Sequence, residues 1–564
     1  MRGGGDSAVG PIAGHPGLHV SNRRPPMSPS AIATLAFVFA GALFALGKKQ
    51  SSTSSDFALA GRSLSGPALF ATLAASNLSA FTVFGVSGAA YRIGWAFFPV
   101  MAFGTAFMAL SFTYVGLPLR RLSAEHGWIT PGDFIGQRFG SRGLGRAFSI
   151  LTLIYTVPYL AIQAGAGGRL LASATGLSPA VGSALLTGVV ALYVFRGGMR
   201  AVTRTDVIQL ATLVGLGLIA AILIAKGAGR SGALDALGKD LAAGARAGSD
   251  GSLPWIGLLG YYALWSLADP MFPHFIQRFY AARSDKALLA GMSAYPIVAL
   301  AVFFPMTAIG VMGRSMAPGL GAAEADGIFT ALAEKVAGAL WGPVFAVAAL
   351  AALMSTMDSQ LLSCASIVSG DLLPARRSSP RYTVLAGIGL ALVAWFVSLR
   401  PPEAMLSFLN RAAFPGYATL APVALAGIYL PGVGAAGAAA ALGAGALLVV
   451  FEASGALRPA MPAVFLNLGA QVVILAAAYI GGRIAKHATV SVPERFPLTG
   501  PWIAIFVLFL VAATDVWNYG VPLGSLAGLP NWLWYQAGVT LALGIGFALL
   551  SHSLADEPGR KPTR

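Results

Sequence analysis

Residues 69–91 read LFATLAASNLSAFTVFGVSGAAY, an apolar run interrupted at its centre by Ser76, Asn77 and Ser79. The run is long enough to cross the hydrocarbon core of a bilayer, where backbone polar groups need partners within the helix. A polar interruption at mid-membrane depth is typical of transporter helices that are broken around a solute site. We therefore predict that this span is a broken membrane helix.

A second span has the same character. Residues 261–279 read YYALWSLADPMFPHFIQRF and contain Asp269, Pro270, Pro273 and His274. Each proline removes a backbone donor and clashes with the preceding turn, so the helix should unwind there. A carboxylate at this depth costs roughly 2.5 to 3.5 kcal/mol on insertion scales and usually marks a pathway. The alternative is a proline kink that binds nothing, and we expect His274 to be structural.

Composition places these spans in a membrane protein. The chain has 564 residues, of which 56% are hydrophobic and only 10% charged, and its mean hydropathy is +0.73. Such a chain cannot be covered by a polar surface. We predict an all-α, polytopic membrane protein with about 15 transmembrane helices.

Basic residues alternate between the predicted loops. The side that receives the first loop carries 23 of the 37 Lys and Arg residues, which by the positive-inside rule places the N-terminus outside and the C-terminus in the cytoplasm. The net charge of +16 is thus an orientation signal, and we expect no nucleic-acid partner. A lone cysteine, Cys364, excludes an intrachain disulfide, and six scattered histidines do not suggest an enzyme.

The two interrupted spans divide the chain into similar halves. Each is followed by four further spans, which predicts two repeats, at about residues 66–226 and 254–430, inside a core of 29–485. The Gly/Pro-rich segment 1–28 should be disordered, and Met27 is a candidate for the true start. Residues 496–554 form a C-terminal pair of spans, and 555–564 a cytoplasmic tail.

The segment 351–373, AALMSTMDSQLLSCASIVSGDLL, gathers oxygen atoms on one helix face. Ser355 and Asp358 share that face with the serines that follow, and hard oxygen donors suit a hard cation such as sodium. Alternatively, such hydroxyls bond back to the carbonyl one turn earlier. We expect this back-bonding for Ser359, Ser363 and Ser366, whereas both interpretations stay open for Ser355 and Thr356.

Four blocks resemble the sodium:solute symporter family. They are the segment from Asp56 to Gly94, RGGMRAVTRTDVIQ (196–209), PHFIQRFYAARS (273–284) and AALMSTMDSQLLS (351–363). They stand in the family's order, and the resemblance covers roughly residues 29–485. It implies a leucine-transporter-like core of two inverted five-helix repeats and sodium-coupled alternating access.

The resemblance also implies a sodium site. Its ligands would be three backbone carbonyls and two hydroxyls, those of Ala75, Leu78, Ala352, Ser355 and Thr356. Asp206 is similar to a family residue linked to a second or transit sodium position, although a helix cap beside Arg204 is an equal alternative. Asp358 would tune the sodium site or pair with a neighbouring helix. No cofactor is implied, and sodium is the coupling ion.

The expected solute pocket combines apolar walls with a few polar points. Its predicted residues are Asn77, Phe81, Trp265, Asp269, Phe272 and Arg411. Arg411 would meet a solute carboxylate or Asp269, or else reach the membrane surface. The family's sugar carriers have a Glu-Gln pair where Phe81 and Thr82 stand, which disfavours a sugar.

We therefore predict a sodium symporter for a monocarboxylate or an amino acid in the inner membrane of a bacterium, surrounded by lipid. Proton coupling stays open as an alternative, as does a solute sensor or channel of the same fold. The C-terminal pair of spans resembles the small two-helix partner of such symporters, so no obligate separate protein partner is expected.

Overall fold

The computed structural model describes residues 29–45, 53–232, 244–248, 251–373, 379–400, 409–484, 496–519 and 524–555. The predicted disordered segment 1–28 and the tail after Ala555 lie outside these residues.

The described chain is almost entirely helical. Its α-helices, numbered in chain order, are α1 Pro29–Ala45, α2 Ser54–Leu59, α3 Gly66–Asn77, α4 Val86–Ile93, α5 Phe97–Met108, α6 Leu117–His126, α7 Pro131–Arg138, α8 Arg142–Thr175, α9 Pro179–Arg230, α10 Trp255–Ala268, α11 Pro273–Ala281, α12 Asp285–Leu289, α13 Tyr295–Met316, α14 Ala322–Ala325, α15 Ile328–Ile367, α16 Pro380–Ser398, α17 Phe414–Tyr429, α18 Ala435–Ala453, α19 Ala463–Ile484, α20 Gly500–Thr514 and α21 Asn531–Ala555. The strands are one short antiparallel hairpin, β1 Ser525–Leu526 and β2 Leu529–Pro530.

Within the described ranges, 11 helical stretches are long and apolar enough to cross a membrane. Two of them bend within their length. Phe81–His126 turns at Gly94, where φ is 85°, and α9 turns at Gly198, where φ is 53° and ψ is −152°. The helices α3, α10 and α11 each fall below the length of a span, whereas the half of the first broken helix that begins at Phe81 is counted within Phe81–His126. The predicted number of about 15 transmembrane helices therefore stays a prediction.

The first broken helix is interrupted where its polar residues lie. α3 ends at Asn77, Leu78 is extended with φ −82° and ψ 92°, and helical backbone resumes at Ala80. Side chains satisfy the backbone donors exposed by the break: the Ala80 N–H donates to Gln163 Oε1 at 3.0 Å, and the Phe81 N–H to Ser79 Oγ at 3.1 Å. The prediction of a broken helix is confirmed here.

The second break is also where the sequence predicts it. α10 ends at Ala268, a single 3₁₀ turn covers Asp269–Met271, and α11 begins at Pro273 after Phe272, whose ψ is 130°. The prolines account for this, since each removes one N–H from the helical ladder.

The two broken helices are joined at one end. The Leu64 N–H, just before α3, donates to Ala281 O at 3.1 Å, and the Arg283 N–H, just after α11, donates to Leu64 O at 3.1 Å. Helix α15 contacts α3, α8 and α9, and the part of it that spans the membrane is almost wholly buried. The broken helices therefore pack around a buried central helix.

The C-terminal helices pack on this core. α21 contacts α5 and α13, and α20 contacts α10. The buried guanidinium of Arg246 lies 4.8 Å from the ring centres of both Tyr519 and Trp532 and 3.6 Å from the Asp515 carboxylate. Trp532 Nε1 also donates to Gly244 O at 3.0 Å. The short segment 244–248 thus attaches the C-terminal pair to the chain that leads into α10.

Candidate functional site

The break in α3 contacts two hydroxyls of α15. Ser355 Oγ lies 2.9 Å from Ala75 O and 3.1 Å from Ala352 O, and Thr356 Oγ1 donates to Ser76 O at 3.2 Å. All these residues are buried. Helical carbonyls that point out of a break are free of their usual intrahelical partners, so they accept from the neighbouring helix.

This arrangement gathers hard oxygen donors in a buried place. Four of the five residues predicted for sodium take part in the contacts described above, and the fifth, Leu78, forms the break itself. Carbonyl and hydroxyl oxygens are ligands that hard cations prefer. The Ser76 carbonyl was not among the predicted ligands, although its polar neighbours in the sequence mark the same break.

A buried ion pair lies close to these hydroxyls. Arg278 on α11 pairs with Asp206 on α9 at 3.1 Å, and both side chains are fully buried. Arg278 also donates to Thr72 Oγ1 at 2.8 Å and to Ser359 Oγ at 2.5 Å, and the Thr72 hydroxyl donates to Asp206. Asp206 lies in the interior of α9, so it does not cap a helix.

Asp358 belongs to the same buried cluster. Tyr193 OH and Thr205 Oγ1 donate to its carboxylate at 2.7 Å and 3.2 Å, and Ser359 Oγ lies 3.0 Å from it. The cluster therefore holds two carboxylates, Asp206 and Asp358, around one guanidinium. Of these, Asp206 keeps one oxygen without a hydrogen-bond partner among the described residues.

Back-bonding of α15 serines links this cluster to the α3 break. Ser359 Oγ lies 2.8 Å from Ser355 O, one helical turn away. Ser363 and Ser366 donate to Gln360 O and Leu362 O at 3.0 Å and 2.9 Å. Back-bonding to the carbonyl four residues earlier, as predicted, is thus present for Ser359 and Ser366, whereas Ser363 donates to the carbonyl three residues earlier.

Between the two breaks lies a small cavity with a volume of about 20 Å³. It is lined by residues of α3, α5, α8, α10, α13 and α17 and of both breaks, namely Asn77, Phe81, Thr82, Met101, Thr105, Tyr159, Trp265, Asp269, Phe272, Phe303 and Phe414. Five of the six residues predicted for the solute pocket are thereby brought together. Arg411 is not, because its side chain is exposed and is absent from this lining.

Sequence reasoning missed the other walls of the cavity. Tyr159, whose OH donates to Ser79 Oγ at 2.7 Å, supports the break from α8. Phe414 contacts Trp265 with ring centres 4.7 Å apart. Both come from apolar spans that carry no local signal for a site, and only the three-dimensional packing identifies them.

Two residues with reactive side chains are buried. His274 is fully buried, its ring stacks on Phe272 with centres 5.3 Å apart, and neither ring nitrogen has a hydrogen-bond partner among the described residues, so its structural role stays a prediction. Cys364 is a buried free thiol. Among the described residues, no group of three or more His, Cys, Asp and Glu side chains is placed to hold a metal ion.

Known proteins resemble this chain over most of its length. The model of the sodium:solute symporter family matches residues 57–445. The sodium/pantothenate symporter of Haemophilus influenzae is 30% identical over 72% of this chain and 85% of its own. The osmoregulated proline transporter of Bacillus subtilis is 30% identical over 71% of this chain and 84% of its own.

A solved structure resembles the fold. A substrate-bound, outward-open Na⁺-coupled sialic acid symporter superposes with a TM-score of 0.62 at 17% identity, covering 81% of this chain and 97% of that one. At this identity the likeness concerns architecture, which is the leucine-transporter-like arrangement of two inverted five-helix repeats. On the extent of the family match and the identity of these relatives, the chain belongs to the sodium:solute symporter family.

Proposed function

We propose that this protein is a sodium-coupled symporter that imports a small organic solute, a monocarboxylate or an amino acid, by alternating access. One observation supports the proposal: the break in α3 contacts two different sites. Its backbone carbonyls contact the hydroxyls of α15, and the Asn77 side chain lines the cavity. An ion and a solute bound on the two sides of one break would each stabilise the same arrangement of helices.

The sodium ion would bind among the carbonyls of Ala75, Leu78 and Ala352 and the hydroxyls of Ser355 and Thr356. Both hydroxyls now donate to carbonyls. Each can turn its hydrogen away and offer a lone pair, so that the same oxygens become ligands. A bound ion would then join α3 to α15 and favour the conformation in which the two helices touch.

The membrane potential supplies the energy for accumulation. One positive charge moving down the potential yields about 2.3 kcal/mol per 100 mV. Since about 1.4 kcal/mol corresponds to a tenfold change in an equilibrium constant, one ion per solute supports an accumulation of roughly fiftyfold at 100 mV for a solute without net charge, such as a zwitterionic amino acid, before the sodium gradient is counted. With a monocarboxylate anion a single sodium ion moves no net charge, so the sodium gradient alone would drive accumulation.

The test of the sodium site is the double substitution Ser355→Ala with Thr356→Ala. Removing two of five ligands should raise the sodium concentration for half-maximal uptake at least about tenfold, equivalent to about 1.4 kcal/mol. Uptake of labelled proline, pantothenate and pyruvate into proteoliposomes under an imposed sodium gradient measures this. The matched control is Ser363→Ala on the same helix, two turns away from the predicted sodium ligands, where the hydroxyl donates to Gln360 O. An unchanged sodium requirement in the double variant would refute the site.

We also propose that Asp206 and Asp358 take part in coupling, as a second or transit cation position. Arg278 pairs with Asp206 and reaches Asp358 only through Ser359, so one guanidinium cannot neutralise both carboxylates, and a sodium ion or a proton at Asp358 would compensate the second. A proton at this place is the rival to sodium. A pH gradient that drives uptake in the absence of sodium would favour the rival, whereas uptake that follows only the sodium gradient would exclude it.

A sensor or channel would have the same broken helices but would not accumulate solute. Steady-state uptake above equilibrium that collapses with a sodium ionophore separates a symporter from both. The named relatives, a pantothenate symporter and a proline transporter, support a carboxylate or an amino acid as the solute. We assign the protein to a bacterial inner membrane, with the N-terminus outside and repeats at about 66–226 and 254–430 within the core.

A further inference from the structure

The charge balance of the cavity is one-sided. Asp269 is the one acidic or basic residue among its eleven lining residues. Asp269 is buried, with 4% of its surface exposed. Its carboxyl group takes part in none of the ion pairs between described residues. A buried carboxylate without a cationic partner is costly, so such groups usually pair with something that enters the site.

The cavity is also unusually rich in aromatic rings. Phe414 lies at the centre of this group, with ring centres 4.7 Å from Trp265, 5.8 Å from Tyr159 and 5.9 Å from Phe81. Phe272 adds a fourth neighbour at 6.2 Å. The faces of such rings carry negative electrostatic potential and attract ammonium and quaternary ammonium groups.

A simple carboxylate would meet the wrong partners here. Its negative charge would face the Asp269 carboxylate and the negative faces of the rings, with no basic side chain in the described lining to offset them. The lining also holds neutral polar side chains, among them Asn77, Thr82 and Thr105. The Asn77 amide lies beside Asp269, and its Nδ2 makes no hydrogen bond of good geometry with any described residue. This amide can donate a hydrogen bond to an oxygen atom of a solute whose positively charged group binds at another part of the cavity.

We propose that the solute carries a positively charged nitrogen, which binds between the Asp269 carboxylate and the rings of Trp265, Phe81 and Phe414. This inference rests on the proposed function and narrows it, from a monocarboxylate or an amino acid to an ammonium or quaternary ammonium compound such as an amino acid or a betaine. In a zwitterion, Asn77 would receive the carboxylate end.

The experiment compares solutes that share a shape and differ in charge. The pairs are glycine betaine with tert-butylacetate, choline with tert-butylethanol, and proline with cyclopentanecarboxylate. Binding to the full-length protein at saturating sodium is measured by the shift of its unfolding temperature with solute concentration. In at least one pair, the compound with the positively charged nitrogen should bind about tenfold or more tightly than the compound in which a neutral carbon replaces that nitrogen.

The variant Asp269→Asn keeps the size of the side chain and removes its charge, so it should abolish this preference, while Asp269→Glu should retain part of it. The control is Ser266→Ala on the same helix, whose hydroxyl bonds only to Tyr262 O. Equal binding within every pair, a preference that survives in Asp269→Asn, or binding of pantothenate and pyruvate alone would overturn the inference.

A separate measurement keeps the two proposals apart. Sodium without solute should raise the unfolding temperature, and Ser355→Ala with Thr356→Ala should remove that shift. If the sodium effect is missing while the preference for a cationic solute persists, the coupling proposal fails and the solute inference stands. If the sodium effect is present and the preference is missing, the reverse holds.

Discussion

At the scale of single residues, Arg278 is a fully buried guanidinium that connects several helices. Its guanidinium contacts Asp206, Thr72 and Ser359 and also donates to His274 O at 3.0 Å, so one side chain joins α3, α9, α11 and α15. A guanidinium suits this place because its planar fork presents five donors and stays charged when buried.

We expect Arg278→Ala to destabilise the protein by about 3 to 5 kcal/mol, because it leaves the buried Asp206 carboxylate without its counter-charge. Arg278→Lys should be less damaging, since it keeps the charge and loses the fork. Denaturant unfolding of the purified protein checks both. Arg283→Ala is the control, because Arg283 is exposed; a loss as large as that of Arg278→Ala would show that the cluster is not the cause.

The residues of the site differ in how far the sequence reveals them. Asn77 and Asp269 stand out because a polar side chain within an apolar run is a local signal. Arg278 and Asp206 belong to recognisable blocks, but nothing in their spacing predicts that they pair across 72 positions. Phe414 and Met101 look like ordinary core residues, and only packing brings them to the cavity.

At the scale of elements, the two breaks arise from different chemistry. The α10–α11 break follows from Pro270 and Pro273, which cannot donate to the helical ladder. The α3 break contains no proline, and it is stabilised by outside partners such as Gln163. Sequence therefore predicts the second break from backbone chemistry alone, whereas the first depends on residues of α8 that lie far away in the chain.

The bend in α9 depends on a glycine. At Gly198, φ 53° and ψ −152° are disfavoured for a residue with a side chain, and a Cβ there would lie 2.4 Å from Phe57 O. Gly198→Ala should therefore cost about 1 to 3 kcal/mol of stability. It should also weaken sodium-dependent uptake, since the bend directs the half of α9 that carries Asp206.

Gly215→Ala in the same helix is the control for this substitution. No neighbouring atom lies within 4 Å of the position that a Cβ would take at Gly215, and the backbone there is helical. Gly215→Ala should therefore leave the free energy of unfolding unchanged or raise it by up to about 1 kcal/mol. Thermal unfolding and uptake of both variants give the comparison. Equal behaviour of the two would mean that the bend is not held by Gly198.

Bends also explain why counting helices from sequence is difficult. A hydropathy profile measures the length of apolar segments and not where a helix bends or breaks. α9 contains two predicted spans in one helix, whereas each broken span is divided into two short helices. The turn at Gly198 stands between Arg196 and Arg200, so polar residues mark the boundary between the two predicted spans, but the helix continues on both sides of this single residue. Fold class follows from composition, whereas the number and the direction of spans depend on individual backbone angles.

At the scale of the whole molecule, the C-terminal pair is bound to the core by a buried cation. Arg246 is 4% exposed at its side chain and Asp515 is not exposed at all, while Tyr519 and Trp532 cover the guanidinium. The attachment lies a few residues before α10, the helix that carries Trp265 and leads to Asp269. The C-terminal pair is therefore placed to support one wall of the solute cavity.

We expect Arg246→Met to lower the stability by about 3 to 5 kcal/mol, because Asp515 would stay buried without its partner. The double variant Arg246→Met with Asp515→Leu should recover part of that loss. Solute affinity should fall in the single variant while the sodium-induced shift of unfolding temperature persists. Arg230→Ala, at an exposed position, should change neither; equal damage from it would remove the special role of Arg246.

The pairing of Leu64 with Ala281 and Arg283 has a consequence for the fidelity of the transport cycle. Two backbone hydrogen bonds tie the chain before α3 to the chain after α11, so we expect a displacement of α3 to move the segment that contains Asp269 even where the ion and the solute do not touch each other. Whatever loosens this tether lets one interrupted helix move without the other. Slippage, in which sodium crosses with no cargo and the gradient is dissipated, is the defect to expect from such a loss.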